Sequence, residues 1–138
     1  MQKQAAKIVK KMYENDAFSQ WLGIEIVEIR AGYAKLKMRT RPEMLNGFGI
    51  LHGGISFSFA DSAFAFACNS RGRHAFSVDT SIAHLKKVKA GEILFAIAME
   101  INLSHKIGLY EVRVLNEAEE PVALFKGSNY RSSREWEV

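Results

Sequence analysis

The sequence predicts an α+β fold in which a curved antiparallel sheet wraps around one long central helix. Three observations carry this. The stretch "YAKLKMR" (33–39) alternates strictly, with Ala34, Leu36 and Met38 on one side and Lys35, Lys37 and Arg39 on the other. That is a strand with one wet face. The apolar run over about 54–70 is too long for a strand and rich in alanine and phenylalanine, as expected of a helix enclosed by other elements. Four further strand-like stretches follow it with no helices between them, so the crossovers that parallel strands require are missing.

Taken in order, residues 2–14 place Ala5, Ile8, Val9 and Met12 at the spacing of one helix face. "NDAF" offers Asn15 or Asp16 as the N-cap of a short second piece up to Trp21, completing an N-terminal helical segment over 1–21. After Gly23 the period changes to two: Ile24, Ile26 and Ile29 alternate imperfectly with Glu25, Glu28 and Arg30, and "AGY" marks a turn. Beyond the wet-faced strand, Pro42 and the Asn46-Gly47 pair mark a loop. The central helix follows at 54–70, with "CNSRG" as its stop at Gly72. The last strands are expected near 75–86, 92–103, 107–116 and 121–131, separated by "KAGE", "SHKIG" and "NEAEEP".

At 138 residues the chain is read as one domain, 1–138. Hydrophobic residues make up 48% and charged residues 25%, the profile of a soluble globular protein. Asp61 and Asn69 interrupt the longest apolar run, so no membrane span is expected. The N-terminus has no apolar signal-peptide core, and the single Cys68 makes neither a disulfide framework nor a thiolate cluster. A cytoplasmic location is expected. The net charge of +4 favours an anionic partner but is too small and too dispersed to indicate nucleic acid, and no nucleic-acid motif is present. Neither His74 nor His84 has metal-ligand spacing, and both are read as structural or surface residues. Cys68 is read as a small buried side chain rather than a nucleophile.

The chemistry gathers in "NGFGILHGGISFSFADSAFAFAC" (46–68). Gly53 and Gly54 open the helix, where backbone N–H groups lack intrahelical partners and the helix dipole adds positive charge. Without side chains they let a substrate oxygen approach, as an oxyanion hole requires. The same pair also serves plain close packing between loop and sheet, and the loop alone does not choose. A nucleotide-binding loop is excluded: the third glycine of G-x-G-x-x-G falls on His52, and no G-K-[ST] is present. Asp61 lies eight residues after Gly53, roughly 12 Å along a helix and about 80° round it. One helix therefore does not present both groups to one carbonyl, whereas two antiparallel helices across a two-fold axis do.

At these residues a resemblance enters. "N-G-x-x-x-x-H-G-G" followed by an apolar helix with "ADSA" resembles the hotdog-fold acyl-CoA thioesterases, most of all those of phenylacetate degradation. "MYENDAF", "LGIEI", "MLNGF", "LHGG", "ADSAFAFACNSRG" and "VALFKGS" carry the likeness along almost the whole chain. It implies that the Gly53 N–H polarises a thioester carbonyl, that Asn46 helps position the thioester, and that His52 belongs to the same loop. Asp61 is implied as the essential carboxylate, supplied by the neighbouring subunit as general base or nucleophile. Ser77 matches a position where some relatives use a hydroxyl to hold the attacking water. "HLKKVKAGE" matches the region that holds coenzyme A phosphates, with Lys86, Lys87 and Lys89 as partners beside Arg71 and Arg73; many relatives have Arg-Pro or Ser-Pro where this chain has Lys86-Lys87. Asn102, His105 and Lys106 fall in another coenzyme-contacting segment.

The resemblance further implies acyl-CoA hydrolysis, with phenylacetyl or hydroxylated phenylacetyl as the acyl group. It implies no resident cofactor, since coenzyme A is part of the substrate. Shared sites in a homodimer, and a tetramer of two dimers, are implied as well. Phe48, Phe57, Phe59, Phe64 and Phe66 default to core, with one or two lining an acyl pocket. Two rivals stand beside this reading. One is a dehydratase using His52 and Asp61 on hydroxyacyl thioesters; the other is a non-catalytic acyl-CoA sensor.

Overall fold

The computed structural model describes residues 2–138. Two helices lead the chain, α1 (Gln2–Glu14) and α2 (Ala17–Leu22). Asp16 is the N-cap of α2, its carboxylate accepting from the Ser19 N–H at 2.9 Å, and Gly23 ends it at φ 74°. Strands β1 (Glu25–Arg30) and β2 (Tyr33–Arg39) follow, then a 3-10 turn at Pro42–Met44 and the central helix α3 (Gly53–Asn69). Strands β3 (Arg73–His84), β4 (Ile93–Leu103), β5 (Ile107–Asn116) and β6 (Pro121–Glu135) complete the chain. All six strands form one antiparallel sheet in the order β1-β2-β4-β5-β6-β3.

The concave side of this sheet receives α3. Leu36 and Met38 from β2, Leu94 from β4, Val112 and Val114 from β5 and Phe125 from β6 are fully buried with Phe59 and Phe64 of the helix. Small residues at Ala34, Ala96, Ala98 and Ala123 let the helix come close. Closest of all is Gly127, where an added Cβ would lie 2.9 Å from the Phe64 ring. Ala5, Ile8 and Val9 seat α1 on the same core. No described helix is long and apolar enough to cross a membrane.

The imperfect alternation expected of β1 comes from a register shift between Ile26 and Glu28, which leaves Val27 half exposed. Three expectations need correction. The central helix starts and ends one residue earlier than expected, and β6 runs on to Glu135, its end pairing with Arg73. Nor is α3 enclosed on all sides. Gly54, Ser58, Asp61 and Ala65 recur at helical spacing and remain at least partly exposed, an open stripe on the side of the helix away from the sheet.

Candidate active site

The loop before α3 is organised by Asn46. Its side-chain Oδ1 accepts from the Phe48 N–H at 2.9 Å and the Ile50 N–H at 3.4 Å, while its backbone N–H donates to the Ile50 carbonyl at 2.8 Å. Gly49 closes the turn at φ 75°. With Oδ1 committed to the loop, the Nδ2 hydrogens of Asn46 have no partner among the described residues. Phe48 rides at the tip, 89% exposed, and is not a core residue as expected.

His52 is the N-cap of α3. Its Nδ1 accepts from the Gly54 N–H at 3.1 Å, and its carbonyl accepts from the Ile55 N–H at 2.9 Å. Gly54 is thereby occupied. The Gly53 N–H, first in the helix, has no partner among the described residues. It carries the partial positive charge of the helix N-terminus, the property that suits it to a developing oxyanion.

Gly53 and Asn46 share a cavity of about 410 Å³, walled by Ile50, Leu51, Val88 and Leu94 and reached by Lys86 and Lys87. Two polar side chains in its wall were not expected there. Ser56 is buried one turn into α3 and donates to the Gly53 carbonyl at 3.1 Å. His84, expected to be structural or surface, ends β3 against Gly53: a Cβ built there would meet its Nε2 at 3.0 Å. Nothing local marks His84, because its partners lie 28 and more positions away in sequence. His52 lines a different groove, on the side of Phe18 and Ser58.

Asp61 sits on the open stripe of α3, half-buried, in a recess with Phe57, Ser58 and Asp16. It makes no hydrogen bond or ion pair among the described residues. Burial, and then the charge of Asp16, push its pKa up. Its separation from Gly53 along one helix is the rise expected from the sequence, and it lines the recess rather than the Gly53 cavity. Ser77 is exposed on β3, opposite Asn129 of β6 and seven residues before His84, about 23 Å along an extended strand. The other edge of β3 pairs with no described strand.

The basic residues fall into two groups. Lys86 and Lys87 line the Gly53 cavity and Lys89 follows on the same loop, outside its lining, with Lys86 Nζ 3.1 Å from Glu120 on the surface. Arg71, Arg73, Asn102, His105 and Lys106 gather at the other end of α3, a helix of 17 residues, about 25 Å away. There Arg73 donates to the His105 carbonyl and Arg131 Nη1 to the Ser104 carbonyl at 2.8 Å, clamping the β4–β5 turn. The Arg71 guanidinium makes a two-pronged pair with Glu100, at 2.9 and 3.0 Å. Cys68 is buried, and burial pushes its thiol up to about 12, far from the range of a nucleophilic thiolate. His74 stacks on Trp136 with ring centroids 4.0 Å apart.

The chain is similar to known proteins in sequence and in fold. The chain is 41% identical to acyl-coenzyme A thioesterase PaaI of Escherichia coli, over 87% of this chain and 86% of that one. The structure of the E. coli PaaI protein from the phenylacetic acid degradation operon superposes with a TM-score of 0.95 at 37% identity, covering 97% of both chains. That of phenylacetic acid degradation protein PaaI from Thermus thermophilus gives 0.82 at 35% identity, over 85% of this chain and 100% of that one. The model of the thioesterase superfamily matches residues 48–123, a span that runs from the Gly53 loop through Asp61 and the whole of β3 to the first residues of β6. Fold, loop and sequence agree, and the chain belongs to the thioesterase superfamily as a hotdog-fold member.

Proposed function

We propose that the protein hydrolyses acyl-CoA thioesters, with an arylacetyl group such as phenylacetyl or hydroxyphenylacetyl as the preferred acyl part. The observation that carries this is the unpartnered Gly53 N–H at the positive end of α3, in the wall of a largely apolar cavity reached by Lys86 and Lys87. The names of the E. coli and T. thermophilus relatives support the acyl-CoA and phenylacetate parts. The thioester carbonyl accepts from Gly53 N–H and Asn46 Nδ2, which stabilise negative charge as the carbonyl carbon becomes tetrahedral. The lysines pair with phosphates of the coenzyme. Coenzyme A enters as substrate, and the reaction needs no resident cofactor.

Attack requires a base or nucleophile, and the Gly53 cavity of one chain is lined by no carboxylate among the described residues. Asp61 of the partner subunit fills that role. As base it takes a proton from the attacking water, and collapse of the tetrahedral intermediate expels the thiolate and leaves the free acid. As nucleophile it attacks the carbonyl carbon, and the thiolate leaves with the acyl group held on Asp61 as a mixed anhydride. Water then hydrolyses the anhydride to free acid and Asp61. Two features support pairing of two copies. The open stripe of α3 carries Asp61, and the unpaired edge of β3 exposes Phe76 (59%) and Val78 (66%), a template for another strand. In such a dimer Ser77 of the partner subunit is the hydroxyl available to hold water. A tetramer of two such dimers is consistent with the exposed Met99 and Ile101 on the outer face of the sheet.

The test is thiol release from a panel of acyl-CoAs spanning phenylacetyl, hydroxyphenylacetyl and short and long straight-chain groups. The aryl members are expected to give the highest kcat/KM; higher values for straight chains would remove the arylacetyl assignment, and no release at all would remove the hydrolase. A second expected result isolates Asn46. Asn46→Asp keeps Oδ1 for the loop and deletes the donor, so kcat/KM should fall about 100-fold with little change in Tm. A Tm that collapses with the rate would make Asn46 a loop residue only.

A further inference from the structure

We propose that His84 is a substrate-contacting residue whose Nε2 accepts a hydrogen bond from the amide N–H of the pantetheine arm nearest the thioester. The proposal rests on the thioesterase reading of the Gly53 cavity.

The ring is held at both edges. Nδ1 lies 3.3 Å from Ser56 Oγ, and Ser56 gives its only hydroxyl hydrogen to the Gly53 carbonyl at 3.1 Å. The serine oxygen is left to accept, so Nδ1 carries the proton of the neutral imidazole and Nε2 carries the lone pair. That lone-pair edge faces Gly53: a Cβ built on the glycine would lie 3.0 Å from Nε2 and 3.2 Å from Cε1. A fixed acceptor therefore stands in the cavity wall beside the free donor of Gly53.

An acceptor is matched only by a donor, and a thioester has none, since its oxygen and sulfur only accept. Moving out from the sulfur of an acyl-CoA, two methylene carbons lead to an amide N–H, the first donor on the ligand. The phosphates farther out are anions. In the cavity wall the Gly53 N–H and His84 Nε2 stand side by side, and Lys86 and Lys87 line the same cavity. Donor, acceptor and cations on the protein are thus the counterparts of carbonyl, amide N–H and phosphate on the substrate.

The test compares kcat/KM for S-phenylacetyl-N-acetylcysteamine, which keeps that N–H, with its N-methyl amide, in wild type, His84→Phe and His84→Gln. Wild type should prefer the N–H thioester. In His84→Phe, which keeps a ring but no acceptor, the preference should fall about tenfold, the worth of one hydrogen bond of about 1.4 kcal/mol. His84→Gln, with Oε1 near the place of Nε2, should retain it. An unchanged preference in His84→Phe overturns the proposal. So does an equal loss on both thioesters, which would put the imidazole on the carbonyl or the attacking water. If the wild type releases no thiol from these thioesters or from acyl-CoAs, the thioesterase reading itself fails, a result distinct from turnover with unaltered preference.

Discussion

Asp61→Asn should lower kcat/KM for acyl-CoA by about a thousandfold or more while raising Tm. The rate effect follows from the proposed role of Asp61 of the partner subunit as base or nucleophile. Asparagine keeps the shape but is neither a base nor a nucleophile at neutral pH, and loss of such a group costs on the order of 10²–10⁴. The stability effect has the opposite sign. Asp61 has no partner among the described residues, and burial and Asp16 raise its pKa. The folded chain therefore holds the proton more tightly than the unfolded chain, so ionised Asp61 costs stability above its folded pKa and that cost vanishes as pH falls through it. The stability gain in Asp61→Asn should accordingly be largest at neutral pH and shrink in acid. The same raised pKa should set the acidic limb of kcat/KM above the ordinary aspartate range, because the base must be ionised to work. An inactive variant that is also less stable would make Asp61 a structural residue. Full activity would remove it from the mechanism.

Asp61 could be read in sequence as a carboxylate that carries a cost, but its setting could not. A lone acid in an apolar run advertises a cost, and the run itself predicts a helix; both hold, with α3 beginning only one residue early. The run also suggests full burial, yet Asp61 lies on the open stripe, because a single chain has no second layer to cover that side of the helix. Periodicity could establish β2, whose alternate residues Ala34, Leu36 and Met38 are fully buried. It could not establish β1, where the shift at Val27 breaks the period, or the end of β6, where both faces are polar and only pairing with β3 keeps the chain extended. Phe48 illustrates a different limit: hydrophobicity does not say that a residue sits at a loop tip. His84 illustrates the largest. Its meaning comes from Ser56 and Gly53, which the fold brings to it across the width of the helix–sheet contact, and no local pattern encodes that meeting.

Glu100→Ala should be the most damaging of these changes to the fold, costing about 3 kcal/mol and lowering Tm by about 10 °C in a chain of this length. Glu100 of β4 takes two hydrogen bonds from Arg71 and one, at 3.1 Å, from the hydroxyl of Tyr110, which is fully buried directly across the strand pair. Its backbone N–H bonds the Gly32 carbonyl at 3.1 Å, and the Gly32 N–H bonds Ser70 Oγ at 3.0 Å. Gly32, at φ 74°, has no room for a side chain there, since a Cβ would stand 2.9 Å from Glu100 Oε2. The carboxylate thus ties Arg71, just beyond α3, to β4 and β5, while the Glu100 backbone holds the β1–β2 turn. Truncating it strands a part-buried guanidinium and a buried phenol, and the penalty comes from those orphaned groups more than from the lost attraction. Glu100→Gln, which still accepts, should cost less than half as much. The double variant Arg71→Ala/Glu100→Ala should be more stable than Glu100→Ala alone, because the stranded charge is gone. Thermal unfolding of the four proteins tests this cycle, and acyl-CoA KM tests the competing role of Arg71. If Arg71→Ala raises KM and leaves Tm unchanged, the arginine belongs to the coenzyme and the structural assignment fails. If Tm falls and KM holds, the pair belongs to the fold, and coenzyme binding rests on the remaining basic residues.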